Sequence, residues 1–159
     1  MPAMMMETDA AYIAGFLDGE GFICIVRANQ TKAKNPSYRL QIGFTNKNLA
    51  VLQYIQRFVG GTINPKVSKN PNAAPAFELK TSQREVISHV LHALVPYLII
   101  KREQAHLGLA FLDLGRVKKT MTVVRGKTWP IFRAIPQEIA NREEFKQQMT
   151  NLNRRGIAS

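Results

Sequence analysis

Tyr12-Ile13-Ala14-Gly15-Phe16-Leu17-Asp18-Gly19-Glu20-Gly21 is the stretch from which the fold follows. At helical spacing Ala11, Ala14, Gly15, Asp18 and Gly19 fall on one side, which therefore has almost no side-chain bulk. Tyr12, Ile13, Phe16 and Leu17 cover the other side and form an ordinary core face. Asp18 stands where the helix is expected to end, because Gly19 and Gly21 suit termination and reversal. An apolar run, Phe22 to Val26, follows at once. A bare stripe lets another backbone approach closely, and a carboxylate at its end is held rigidly. The pattern is that of an acid placed at an interface.

A chain of 159 residues with 45% hydrophobic content holds one well-packed core, and the reading is a single domain over 1–159. Lys and Arg number 22 against 11 acids, giving a net charge of +11 and a pI near 10.2. Such a balance points to polyanionic partners, nucleic acid or an anionic membrane surface. There is no run of about 18 apolar residues to span a membrane. Met1 to Met6 lack the basic-then-apolar pattern of a secretory signal, so an intracellular protein is expected. The single Cys24 excludes internal disulfides and cysteine-zinc sites and suits a reducing compartment. With only three histidines, any metal would be held by oxygen.

Thr8 or Asp9 is expected to cap a helix from about Ala10 to Asp18. Phe22 to Ala28 reads as a strand and 29–36 as a polar loop. Ser37 to Thr45 alternates, with Tyr38, Leu40, Ile42 and Phe44 facing one way and Ser37, Arg39, Gln41 and Gly43 the other. Asn46 opens a helix carrying Leu49, Leu52, Ile55 and Phe58, closed by Gly60-Gly61. In the next strand pair Ile63 and Val67 alternate with Asn64, Lys66 and Ser68, and Phe77 and Leu79 with Ala76, Glu78 and Lys80. Ser82 with Glu85 is expected to form a capping box for the following helix. A further helix spans about Lys101 to Leu114, then a basic loop carries Arg116, Lys118, Lys119, Arg125 and Lys127. Pro136 begins a charged last helix. Adjacent hairpins with helices on one face make the class α+β. The outer sheet face is polar and basic, which fits a solvated sheet or a nucleic-acid surface.

Ile13 to Gly21 resembles the motif that names the LAGLIDADG homing endonucleases, and the resemblance extends along the chain. Phe44-Thr45-Asn46-Lys47-Asn48 is similar to the segment after the family's first hairpin. Tyr97 to Ala105 is similar to its turn between two helices with a catalytic lysine, and Leu152 to Gly156 also recurs in such proteins. The resemblance implies an αββαββα core with a four-stranded antiparallel saddle, and a magnesium-dependent, intron-encoded, site-specific DNA endonuclease. Manganese could replace magnesium, and no organic cofactor is implied. The motif occurs once; the nearest echo, Leu109 to Gly115, has Gly115 where the acid belongs and reads as a core helix. One motif implies a homodimer crossing through Ala11, Ala14, Gly15, Asp18 and Gly19, with a long, partly palindromic double-stranded target.

Taken alone, Glu20 is an ordinary helix-end acid and Lys101 a solvated helix-start lysine. The resemblance makes Glu20 the metal ligand, supported by the Gly19 carbonyl, with Asp18 structural. It makes Lys101 a stabiliser of developing charge and Asn46 the group that positions the attacking water. Ala50 stands where some members carry a basic residue; either that role is absent or Arg102 supplies it. Magnesium commonly takes one or two carboxylates plus phosphate and water, so two Glu20 side chains would suffice.

For DNA, the outward positions are Ser37, Arg39, Gln41, Gly43, Asn64, Lys66, Ser68, Glu78 and Lys80, lying in the major groove. In the first strand the family register puts Cys24, Val26 and Ala28 outward, while Arg27 and Asn29 suit DNA better if a bulge shifts it. Gln30, Lys32, Lys34, Arg116, Lys118 and Lys119 are assigned to phosphates. Two other readings remain beside cleavage: an RNA maturase on the same fold, and a non-catalytic DNA-binding regulator. The expected location is an organelle or a prokaryotic cytoplasm.

Overall fold

In the computed structural model, which describes residues 2–28, 36–117, 119–122, 126 and 131–155, a four-stranded antiparallel sheet carries the helices on one face. The chain runs α1 (Glu7–Glu20), β1 (Gly21–Ala28), β2 (Ser37–Asn46), α2 (Leu49–Val59), β3 (Thr62–Lys66), β4 (Ala76–Thr81) and α3 (Arg84–Leu94). A 3-10 turn (Val95–Tyr97) leads to α4 (Arg102–Asp113), β5 (Lys119–Thr122), β6 (Ile131–Ala134) and α5 (Pro136–Arg155). The sheet order is β1-β2-β4-β3. The αββαββα order expected from the sequence is thus present, and β5 with β6 adds a separate two-stranded sheet inside what reads as a basic loop.

Alternation in β2 decides which face is buried. Leu40, Ile42 and Phe44 are at most 2% exposed, and Ile23 and Ile25 of β1 and Leu79 of β4 join them in one apolar cluster with Ile13 and Leu17 of α1. Each such side chain contributes roughly 1.5–3 kcal/mol on burial. Pairing of β1 with β2 runs without interruption from Gly21–Phe44 to Ala28–Ser37, so there is no bulge. The helix-to-strand turn at Gly21 is tight because a Cβ there would press on Leu17 and on the Gly43 carbonyl.

Several boundaries differ from the sequence reading. Helix α1 begins earlier, after Met6, whose amide donates to the Asp9 carboxylate at 3.0 Å. It also runs through Gly19 to Glu20, and neither Gly19 nor Gly21 has positive φ. Helix α2 is capped by Asn48, which accepts from the Val51 amide, while Asn46 ends β2; the Gly60-Gly61 closure does hold, at φ of 64° and 84°. Helix α3 starts after Gln83 without a side-chain cap, so the Ser82–Glu85 box does not form. Val67 lies past the end of β3 and is 93% exposed.

Helix α5 is tied to the rest by polar bonds as well as by the Phe111–Phe145 ring contact. Arg27, read as a better DNA contact if a bulge shifted the strand, instead pairs with Glu143 at 3.3 Å, and Tyr38 donates to the same carboxylate at 2.5 Å. That hydroxyl's pKa is pushed up to about 12, chiefly by burial and then by the Glu143 bond. Asn153 donates to the Ile23 carbonyl. Arg142 is 3% exposed; it pairs with Glu138 at 2.7 Å and donates to the carbonyls of Glu138 and Gly115.

Breaking a buried pair from one side leaves its partner uncompensated, whereas an exposed pair contributes little. Arg142→Ala is therefore expected to lower the unfolding free energy by about 3 kcal/mol, and Arg27→Ala by less than about 1 kcal/mol. Urea denaturation of the two variants at neutral pH checks the ordering.

Candidate DNA-cleavage site

The end of α1 is fixed to the start of α4 by Asp18. Its carboxylate accepts the backbone N–H groups of Ile99, at 2.8 Å, and Lys101, at 2.9 Å. Lys101 returns the bond, its Nζ donating to the Asp18 carbonyl at 2.6 Å. A helix leaves its last carbonyls without intrahelical partners, and the ammonium takes one of them, where the helix dipole favours a cation. Burial lowers the Lys101 pKa from its ordinary value, and the Asp18 carboxylate opposes that shift. Asp18 thus joins the end of α1 to the entry of α4.

Glu20 leaves the helix two residues later and is exposed. It lines a cleft of about 300 Å³ with Thr45, Asn46, Lys47 and Ala76. The structure therefore brings Glu20 and Asn46 together, while Lys101 reaches the same helix end through the Asp18 carbonyl. Asn46 Oδ1 accepts the Asn48 amide at 2.8 Å, so its NH2 is the end left to face the cleft. Lys47 is the residue that sequence reasoning missed. It lies inside the Phe44 to Asn48 segment, yet its nearness to the acid depends on how β2 meets α1. Arg102, offered for the basic role missing at Ala50, is exposed at the first position of α4 and does not line this cleft.

The donor set suits a hard cation. Glu20 provides an exposed carboxylate, and the Gly19 carbonyl beside it is a second oxygen beyond the helix's own bonding. Among the described residues no group of three or more His, Cys, Asp or Glu forms a metal cage. One chain thus supplies part of an oxygen shell that phosphate, water and a further carboxylate would complete.

On the sheet's outer face the register aligns Cys24 with Gln41, Val26 with Arg39 and Ala28 with Ser37. Asn64 pairs with Glu78, Lys66 with Ala76, and Lys80 with Gly43. Cys24 Sγ donates to Gln41 Oε1 at 4.0 Å, and burial raises the thiol's pKa, keeping it protonated. Lys80 pairs with Glu78 at 2.9 Å. Gly43 is a correction: it is buried, because the Phe22 ring lies over it. Ser68 is another, since it lies beyond β3 in an exposed loop. Lys119 begins β5; Gln30, Lys32, Lys34 and Lys118 lie outside the described residues, as do Asn29, Arg125 and Lys127. Arg116 is exposed beside a larger cavity of about 470 Å³, which also meets Arg84 and Arg142. There Arg84 and Arg142 both donate to the Gly115 carbonyl, so that cavity is built around a structural joint of α4.

The small-residue face of α1 is only partly open. Ala11, Gly15 and Gly19 are exposed, and a Cβ at Gly15 or Gly19 would meet nothing within 4 Å. Ala14 is fully buried in the chain's own core, so it leaves the stripe. Tyr12, read as core, is 50% exposed and stacks edge-on against Tyr54 at 5.7 Å.

No curated protein sequence matches the chain. Among solved structures it is similar to the homing endonuclease I-CvuI in complex with its target in the presence of calcium, with a TM-score of 0.68 and 20% identity over 92% of this chain and 82% of that one. The archaeal intron-encoded homing endonuclease I-Vdi141I complexed with DNA gives 0.67 and 18% over 92% and 84%. The homing endonuclease I-TnaI gives 0.64 and 16% over 97% and 96%. These likenesses show the fold, with its helices on one side of a four-stranded saddle. The model of the LAGLIDADG endonuclease family matches residues 13–103, which include α1 from Ile13 onward, both hairpins of the four-stranded sheet and Lys101, and the chain belongs to that family.

Proposed function

We propose that the protein is a site-specific homing endonuclease that cuts both strands of a long, partly palindromic duplex as a homodimer, using magnesium or a similar divalent ion. The observation that carries this reading is the cleft at the end of α1, where an exposed carboxylate, an amide and a lysine meet at one edge of a basic sheet. A pure RNA maturase or a non-cutting regulator has no use for that combination. The lone carboxylate in this cleft and the open Gly15–Gly19 face both favour a second copy crossing at α1. Cys24 as the sole cysteine fits a reducing, DNA-bearing compartment, an organelle or a prokaryotic cytoplasm. Among the described residues no helix is long and apolar enough to cross a membrane.

In this site Glu20 and the Gly19 carbonyl would hold the ion, which supplies charge neutralisation at the attacked phosphate. Asn46, with its oxygen fixed to the Asn48 amide, donates from its NH2 and orients the water's oxygen. Lys47 faces the same space and offers an ammonium to the phosphate oxygens. Lys101, held at the Asp18 carbonyl, lends positive charge to the helix end on which the acid sits.

The decisive experiment incubates the protein with an intron-less copy of its own insertion site, with magnesium or with EDTA. Double-strand cleavage only with the metal is expected, and Glu20→Gln is expected to abolish it while leaving binding largely unchanged. Cutting by that variant would overturn the assignment. Lys47→Ala should slow single-turnover cleavage by roughly tenfold or more with a much smaller effect on affinity, as measured on the same duplex. Gly15→Leu places bulk on an open helix face at no cost in helix propensity. It should fold normally by circular dichroism, sediment as a monomer where the parent sediments as a dimer, and lose double-strand cleavage.

A further inference from the structure

We propose that Phe22 is a specificity-determining residue that contacts the C5-methyl group of a thymine in the major groove, and that Gly43 is bare so that the ring can be seated there. The inference rests on the DNA-cleaving reading above. Phe22 is the first side chain after Glu20 to stand on the outer face of the sheet, because its neighbours Gly21 and Ile23 are a bare turn and a core residue. Its register partner is Gly43, and Gly43 is paired on its other side with Lys80. A Cβ at Gly43 would collide with Cζ and Cε1 of the Phe22 ring. The ring therefore lies across the glycine, reaching toward the middle of the sheet, and Gly43 is buried by it on a face that is otherwise solvated.

Covering a bare cross-strand position accounts for the ring's lower side. It leaves the upper side unexplained, since Phe22 is only partly buried on a face that carries amides, ammonium groups and carboxylates, with Cys24, Val26 and Ala28 its smaller apolar companions along β1. A phenyl ring has no hydrogen bond to offer a base edge, and the apolar feature of the major groove is the thymine methyl. The polar neighbours leave that role to the ring: Lys80 is engaged by Glu78, and Gln41 takes the Cys24 thiol on its oxygen. Strands and duplexes advance by nearly the same step, about 3.4 Å per residue or base pair. Two residues past Glu20, the ring should therefore meet a base pair about two steps from the phosphate that Glu20 serves.

The test removes only the methyl. A preferred duplex is selected by binding from a randomised pool, and each thymine is replaced in turn by uracil. For the parent protein, one uracil about two base pairs from each cut should weaken binding roughly fourfold, the loss expected for one buried methyl-sized group. Phe22→Ala should lose that discrimination at the one position and keep it elsewhere, and Phe22→Leu, which keeps apolar bulk, should retain part of it. Gly43→Ala displaces the ring and should change preference at the same base pair. Unfolding midpoints of all three variants separate a change in reading from a loss of fold. A Phe22→Ala profile identical to the parent's, or a parent indifferent to uracil near the cut, would overturn the proposal. Absence of cutting with the uracil profile intact would instead fault the cleavage reading alone.

Discussion

The exchange between Asp18 and the backbone of 99–101 is the constraint on which the geometry at the end of α1 depends. Two amides converge on one carboxylate, and the lysine that carries the second of them donates from its side chain to the carbonyl of the same aspartate. Hydrogen bonds to a charged acceptor are each worth about 1.5–3 kcal/mol when shielded, and the side chain here is only half-buried, so solvent screening lowers that figure. The gain is chiefly geometric. Residues two apart on a helix differ by about 200° in direction, so anchoring Asp18 toward α4 leaves Glu20 directed away from it. The same short motif thus yields one acid that is spent on structure and one that stays free, and they cannot exchange roles without unwinding the last turn.

How much of this was legible in the sequence depended on whether a signal was local. The alternation of Tyr38, Leu40, Ile42 and Phe44 specified the buried face of β2 correctly, because period-two patterning is a property of the strand itself. The αββαββα order followed from the same local signals, whereas the register of β1, left open to a bulge, is fixed only by its unbroken pairing with β2. Ala14 was misplaced for a different reason. A small side chain fits equally well against a neighbouring strand and against another protein, so a helical wheel of Ala and Gly cannot say which part of the stripe its own core will take. Tyr12 failed in the opposite direction, since a tyrosine covers surface as readily as core.

The remaining gaps are tertiary. Gly43 was read as a backbone available to DNA, yet the ring that covers it belongs to a strand paired across from it and nothing near Gly43 in the chain announces it. Arg27 was offered as a DNA contact if a bulge shifted its strand; its position over Glu143 depends on where α5 lies, more than a hundred residues later. Lys47 sat within a recognised segment, but its relation to Glu20 exists only once β2 has delivered the α2 entry to the end of α1. The β5–β6 pair was hidden because β5 is only Lys119-Thr120-Met121-Thr122 within a basic stretch, and such a stretch reads as loop until a pairing partner is known.

The two lysines divide the electrostatic work in a way that follows from their surroundings. Lys101 is partly buried, and that burial lowers its pKa; its charge is retained because Asp18 and the helix terminus both favour a cation there. It is therefore fixed in place and cannot follow a moving phosphate. Lys47 is exposed and can. Within the cleft, however, the carboxylate of Glu20 cancels the charge of Lys47, so the cleft itself offers a polyanion no net attraction. The pull on a duplex must come from the rest of the chain's excess of +11, carried in part by Arg39 and Lys66 on the sheet and by Arg116. On the proposed reading affinity and cleavage fall on different residues, and an acid can remain at the point where two negatively charged strands are brought together.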